Sequence, residues 1–295
     1  MKWIRIIFFI LILQSFLFAQ FNGQRAFQYL VKQVAFGPRN PNSQGHQACL
    51  KFLEQELKQQ ADTVLLQSFD WYDAHHKKTL RLTNVIARFQ PEKKRRIFLA
   101  AHWDTRPRAD HDKPENQDKP IPGANDGASG VAILLEIANV LQKQPPTNVG
   151  IDLVLFDGED YGRQGHLEEY FLGSRYFAKQ YQKLKFKHEF GILIDMVGDA
   201  NLNIKREGYS VKNLPWLVDR VWKTAQNMGY YEFSDQFLGY VDDDHVPLLE
   251  AGIPCIDIID FEYPYWHTLE DTPDKCSPQS LSVVGQVLLE VLYEQ

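Results

Sequence analysis

Apolar residues recur at helical spacing over 24–35 and 46–61, and "FGPRNPNSQG" breaks the pattern between them, predicting two amphipathic helices. Three strand-like runs follow: "TVLLQSFDW" (63–71), "TLRLTNVIARF" (79–89) and "RIFLAAHWD" (96–104). From there the pattern alternates. "SGVAILLEIANVLQKQ" (129–144) predicts a helix stopped by Pro145-Pro146, and "NVGIDLVLFDGED" (148–160) a nearly continuous apolar strand running into acids. A helix around 173–183, the strand "FGILIDMVG" (190–198) and a helix near 214–228 come next. The short strand "IPCIDII" (253–259) and a last helix at 279–293 complete the series. Apolar strands alternating with amphipathic helices imply an α/β protein, a mostly parallel sheet covered on both faces. No repeat, low-complexity tract or linker divides the chain, so 20–295 reads as one domain.

The start of the chain stands apart. In "MKWIRIIFFILILQSFLFAQ", Lys2 and Arg5 precede an apolar run that ends near Phe18, too short and abrupt for a comfortable membrane span. It fits a secretory signal peptide over 1–19, with an uncleaved anchor as the alternative. Cleavage after Ala19 would leave Gln20 as the new N-terminus of an exported protein, periplasmic or secreted, with no stable membrane span. No cysteine sits at the cleavage point, which argues against a lipid anchor.

Loss of residues 1–19 removes Lys2 and Arg5, so the formal charge falls from −6 to −8. With that balance and no basic stripe interleaved with aromatics, nucleic acid is excluded as a partner. The one basic run, "EKKRR" at 92–96, lies between two strands and reads as a solvated turn. Cys49, Cys255 and Cys276 match neither a disulfide framework nor a zinc-thiolate pattern.

Candidate chemistry gathers where strands end. "FLAAHWD" delivers His102 and Asp104, "LVLFDGED" delivers Asp157, Glu159 and Asp160, and "ILIDMVGD" carries Asp195. "DFEYPYWHTLEDTPD" holds His267 after the last strand, and Asp126 opens a helix in "GANDGASG". Ligands of open α/β sheets bind beyond the carboxyl ends of the strands, so five segments bring acids or imidazoles to one rim. An aspartate before a helix is often only an N-cap. Here the acids are too many and too close to apolar strands for that reading alone, because crowded like charges need a cation or shared protons. Aspartate, glutamate and histidine donors suit zinc, which catalytic sites hold with three protein ligands and one open position.

The segments "AHWDTRP…GANDGASGVAILLEIA", "LFDGEDYG", "LGSRYFA", "LIDMVGD", "DDDHVPLL" and "YWHTLEDTPD" resemble the zinc aminopeptidase-like superfamily. Within it they are most similar to the bacterial glutaminyl-peptide cyclotransferases, from about residue 25 to the C-terminus. The resemblance implies a three-layer α/β/α sandwich around a mixed, twisted sheet. It also implies closure of the N-terminal glutamine of peptides or proteins to pyroglutamate with release of ammonia. Carried over by position, it makes Asp126, Asp160 and His267 the ligands of one zinc ion and Glu159 the general acid/base. Asp195 and Asp243 match acids that form a hydrogen-bond network with that glutamate, and Trp266 matches a wall of the substrate pocket. Trp103 is a further candidate for the pocket lining.

The chain also departs from the animal members. Asp160 stands where they have glutamate, and Ala101 and Val131 occupy the places of a bracing disulfide. An aromatic that they carry beyond the paired acids falls near Gly165, so that wall must come from elsewhere. The insertion 108–122, His111 included, reads as a solvated loop. The alternative enzyme is a two-zinc aminopeptidase of the same superfamily, in which His102 and Asp195 bind a second metal and Asp126 bridges. A catalytically dead binding module is disfavoured by the intact Glu159/Asp160 pair and His267. Of the other histidines, His46 reads as structural, His75 and His76 as solvated, and His166 as part of a loop after the acids. His188 has no evident partner, and His245 either orients an acid or packs locally.

Overall fold

In a computed structural model, which describes residues 20–183 and 187–295, eight strands and eight α-helices alternate along most of the chain. The expected signal segment 1–19 lies outside the described residues. Among those described, no helix is long and apolar enough to cross a membrane.

Six strands make the central sheet: β1 (Thr63–Asp73), β2 (Lys78–Phe89), β3 (Arg96–His102), β4 (Gly150–Phe156), β5 (Gly191–Asp195) and β8 (Cys255–Ile259). They lie in the order β1-β2-β4-β3-β5-β8. The β3–β4, β3–β5 and β5–β8 pairs are parallel, whereas β1–β2 and β2–β4 are antiparallel. The sheet is therefore mixed and mostly parallel, as the alternation predicts. A parallel two-stranded sheet, β6 (Ile204–Glu207) with β7 (Phe233–Gly239), stands beside it.

Period-two alternation divides the buried side chains between two layers. Ile97, Leu99 and Ala101 of β3 join the larger core under α1 (Gly23–Val34), α2 (Gln44–Gln60), α3 (Ala128–Lys143), α6 (Pro215–Asn227) and α8 (Pro278–Tyr293). Phe98 and Ala100 of the same strand face the opposite core, with α4 (Leu172–Tyr181) and α7 (His245–Glu250). Helix α5 (Gly208–Asn213) follows β6 directly. The helices thus cover both faces, giving the expected sandwich of three layers.

Helix α3 is apolar all round because α1, α2 and α8 cover what the sheet leaves exposed. Its one acid, Glu136, is fully buried and accepts from the Arg25 guanidinium at 2.5 and 2.6 Å and from the Asn22 amide at 3.0 Å. The adjacent strands β3 and β4 send their following helices, α3 and α4, to opposite faces. That divergence opens a crevice at their carboxyl ends, where the candidate residues lie. Cys49, Cys255 and Cys276 are free and buried, and Ala101 and Val131 are core residues. The basic run divides: Arg95 is exposed and pairs with Glu189 at 2.7 Å, whereas Arg96 is buried against Asp152.

Candidate active site

A cavity of about 330 Å³ lies beyond the ends of β3, β4, β5 and β8, lined by Asp126, Glu159, Asp160, Asp195, Asp243, Trp266 and His267 among others. Asp126, Asp160 and His267 are all buried, with one ligand atom from each within 4.8 Å of the others. His267 Nε2 stands 3.7 Å from Asp126 Oδ2 and 3.4 Å from Asp160 Oδ1. The Oδ2 atoms of Asp126 and Asp160 are buried without a hydrogen-bond partner. An orphaned buried carboxylate oxygen is costly unless something fills its lone pairs. Two such carboxylates beside one imidazole make a one-nitrogen, two-oxygen donor set that fits zinc.

Local structure aims each ligand. Asp126 does not cap α3; the N-cap is Gly127, at φ 96°, and no side chain caps the helix. A Cβ at residue 127 would stand 2.4 Å from the Asp104 carbonyl, so only glycine fits the turn. The amides of Ala124, Asn125 and Asp126 all donate to Asp271, the first to its carbonyl and the others to its buried carboxylate. Asp104, also fully buried, accepts from the amides of Glu159 at 3.1 Å and Asp160 at 3.5 Å, setting the turn after β4. Arg39 donates to the carbonyls of Trp103, Pro122 and Gly123 and so locks the strand end to the loop before Asp126. His267 has φ 57°, and Met196 and Phe171, which also line the cavity, have φ 48° and 58°. Such left-handed conformations in non-glycine residues concentrate at functional sites.

The insertion 108–122 is not simply a solvated loop. Asp110 Oδ1 lies 3.3 Å from His267 Nδ1 while its carboxylate also accepts from Arg106. A carboxylate behind a histidine in this way fixes the ring and its tautomer for a metal. Arg106 reaches Asp160 Oδ1 as well, at 2.7 Å. His111 stands edge-on to Trp266, with centroids 4.5 Å apart, and its amide donates to the His267 carbonyl. Trp266 in turn lies 3.9 Å from the His267 ring.

Electrostatics follows from this crowding. Burial lowers the His267 imidazole, but Asp160 and Asp110 outweigh it and raise it to about 9. Burial pushes the Glu159 carboxyl well above the ordinary range; His102 opposes the shift, and Asp160, Asp243 and Asp244 reinforce it. Asp243 is raised to about 7, by burial first and by Asp195 next.

The acids meet through an imidazole. His102 Nδ1 is 3.6 Å from Glu159, and His102 Nε2 is 3.1 Å from Asp195 and 3.3 Å from Asp126. Among the described residues no direct hydrogen bond joins Glu159 to Asp195 or Asp243; His102 stands between Glu159 and Asp195. His102, Asp126 and Asp195 also form a second ligand-like trio. The Asp243 loop is held by Glu207, which is fully buried and accepts from Val241 N and His245 Nε2, each at 3.2 Å. These donors stand two residues before and two after Asp243. Glu207 also accepts from Tyr209 N, Ser210 N and Ser210 Oγ. Against the penalty of burial, His245 and Ser210 keep its carboxyl below the ordinary range.

Not every candidate reaches the cavity. Trp103 is fully buried, stacks on His46 with centroids 4.4 Å apart and donates its indole N–H to Thr83 O. It belongs to the support of the site and not to its wall. His46 is structural, its Nε2 resting on the Asp157 carboxylate at 2.9 and 3.0 Å. His188 does have partners, Asp152 and Tyr181. His76 pairs with Asp73 at 2.6 Å, and His166 with Glu168 at 3.2 Å. Near Gly165, Gln164, Leu167, Tyr170 and Phe171 supply the wall.

Residues 84–292 match the family model of peptidase family M28. The chain belongs to this family. Among M28-like solved structures, the Bacteroides thetaiotaomicron glutaminyl cyclase bound to N-acetylhistamine is 41% identical, with a TM-score of 0.89 over 94% of this chain and 99% of that one. A leucine aminopeptidase precursor from the same organism is also 41% identical, with a TM-score of 0.90 over 94% and 98%. The glutaminyl-peptide cyclotransferase of Boiga irregularis is 23% identical over 284 residues, spanning 85% of this chain and 75% of that protein. Cyclases recur among the similar solved structures and cyclotransferases among the curated relatives, which supports the cyclase more than the aminopeptidase.

Proposed function

We propose that this M28 protein is a zinc-dependent glutaminyl cyclase that closes the N-terminal glutamine of peptides and proteins to pyroglutamate and releases ammonia. One observation carries the reading. Glu159, its carboxyl raised by burial, stands beside two orphaned carboxylate oxygens and an imidazole in a cavity with a tryptophan wall. Asp126, Asp160 and His267 would hold the metal, which when bound supplies Lewis-acid stabilisation of charge on the γ-carbonyl oxygen. Glu159 takes a proton from the attacking α-amine and returns it to the departing nitrogen, a task that suits a carboxyl raised above its ordinary range. Asp243 sustains that shift together with Asp160 and Asp244, and Asp195 holds the His102 imidazole that faces Glu159. Trp266 packs the glutamine side chain in the folded-back conformer, so that amine and amide meet.

The aminopeptidase alternative draws on the second trio, His102, Asp126 and Asp195. Its His102 Nε2 already engages Asp195 at 3.1 Å, whereas the first trio keeps one oxygen each of Asp126 and Asp160 without a partner. That contrast favours one metal per chain. The test is incubation with a glutamine-initiated dipeptide, with and without a chelator, assaying ammonia and free amino acid alongside a metal count. Chelator-sensitive ammonia with one zinc supports the cyclase. Release of free glutamine with two zincs supports the aminopeptidase instead. Export belongs to the same reading, supported by the basic and apolar residues that precede Gln20.

A further inference from the structure

In the proposed reaction both reacting groups belong to the first residue of the substrate. Its carbonyl carbon stays bonded to the next amide nitrogen, so the rest of the chain must leave the cavity. One recess adjoins the mouth, a groove of about 470 Å³ that shares Leu167, Phe171 and Asp242 with the catalytic cavity. Beyond them it runs between α5 and α7, past Tyr209, Asn213 and Glu250.

The junction between the two spaces is built. Tyr240 lines the cavity and stands edge-on to Tyr209 of the groove, with centroids 4.9 Å apart, an aromatic step from one space to the other. The Tyr209 hydroxyl donates to Asp242 at 3.3 Å. Arg175 is fixed at the other side of the groove by the carbonyls of Tyr170 at 3.1 Å and Leu167 at 3.4 Å. Apolar side chains of Phe171, Val246 and Leu249 share this groove with polar ones of Arg175, Asn213 and Glu250, a mixed lining that can take both the side chains and the backbone of a peptide. Tyr240 and Leu167 are also exposed, at 60% and 48%, which is large apolar area to leave in water beside a catalytic mouth.

We propose that this groove binds the residues that follow the cyclising glutamine, making the enzyme selective for longer peptides and protein N-termini over dipeptides. The proposal rests on the cyclase reading. Residues beyond the second add contact area in the groove without touching the reacting atoms, so they act on KM and leave kcat nearly unchanged.

The experiment compares a glutamine-initiated dipeptide with a pentapeptide on the wild type, Glu250→Trp and Asn213→Trp, both at positions that line the groove alone. Asn213 is exposed and its side chain donates only to Tyr209 O, so the bulky replacement fills the groove without entering a core. The wild type should favour the pentapeptide in kcat/KM, and each variant should cut that preference about fivefold, the equivalent of roughly 1 kcal/mol of lost contact. Dipeptide turnover should stay within about twofold of the wild type, because those contacts lie outside the cavity. An unchanged length preference in both variants, with dipeptide turnover intact, would overturn the groove while leaving the cyclase in place. No cyclisation of either substrate by the wild type would remove the reading on which the groove stands, and the groove with it.

Discussion

Replacing Asp271 with asparagine tests whether the site is held by its supporting residues or only by its ligands. Asp271 is fully buried, with Oδ1 accepting from Asn125 N at 2.8 Å and from the Tyr263 hydroxyl at 2.8 Å. Its Oδ2 accepts from Asp126 N at 3.1 Å. Asparagine keeps one acceptor and turns the other into a donor that faces an N–H. One buried amide then loses its partner, at a cost of about 1–3 kcal/mol. For a chain of this size that should lower Tm by roughly 3–10 °C. The same change frees the backbone of Asp126, so zinc affinity should fall about 10- to 100-fold, as it does when support behind a ligand is removed. Competition against a chromophoric chelator measures the affinity, and melting in excess chelator isolates the metal-free stability. A variant that melts early yet binds zinc like the wild type would refute the argument, showing Asp271 to be a brace for the fold alone.

Other expectations concern separate parts of the structure. Glu159→Gln should keep its zinc and lose about 10²- to 10⁴-fold in turnover, the usual share of a general acid/base, read as ammonia release with a metal assay alongside. Glu207→Gln puts an amide among five donors; kcat should drop by up to about a hundredfold through misplacement of the Asp243 loop, with zinc content unchanged. His188 is held below its ordinary 6.5 by burial, against the pull of Asp152, and Asp152 is itself held low, against burial, by His188 and Arg96. A depressed native value means that the unfolded chain binds the proton first, so stability present at neutral pH is lost as pH falls below about 6.5. Melting temperatures from pH 7.5 to 5 should therefore decline less steeply in His188→Gln. Cleavage after Ala19 would expose Gln20 as a substrate of the enzyme itself, so intact-mass measurement of exported protein should show a chain shortened by 19 residues and lighter by one ammonia.

The chain's own pattern determined the strands and long helices of the sandwich, because burial on both faces demands unbroken apolar runs and burial on one demands a period. The same pattern placed His102, Glu159, Asp160 and Asp195 at one rim, since a side chain at the end of a buried strand has nowhere else to go. Four short elements, β6, α5, β7 and α7, escaped it. "IKRE" of β6 and "HVPLLE" of α7 carry too few positions for any period to register, and only the packing of their neighbours makes them regular.

Tertiary structure alone decided which charged residues are internal. Asp271, Arg39 and Glu207 look like surface residues in sequence, yet each is buried, because backbone groups from distant segments supply its hydrogen bonds. It also decided the fate of Trp103 and Asp110: the tryptophan was taken from the pocket by His46, and the insertion's aspartate was brought behind His267. A ligand's identity follows from its own side chain and can be read along the chain. Its aim depends on partners from distant segments, as Asp271 is to Asp126, and these meet only when the layers close.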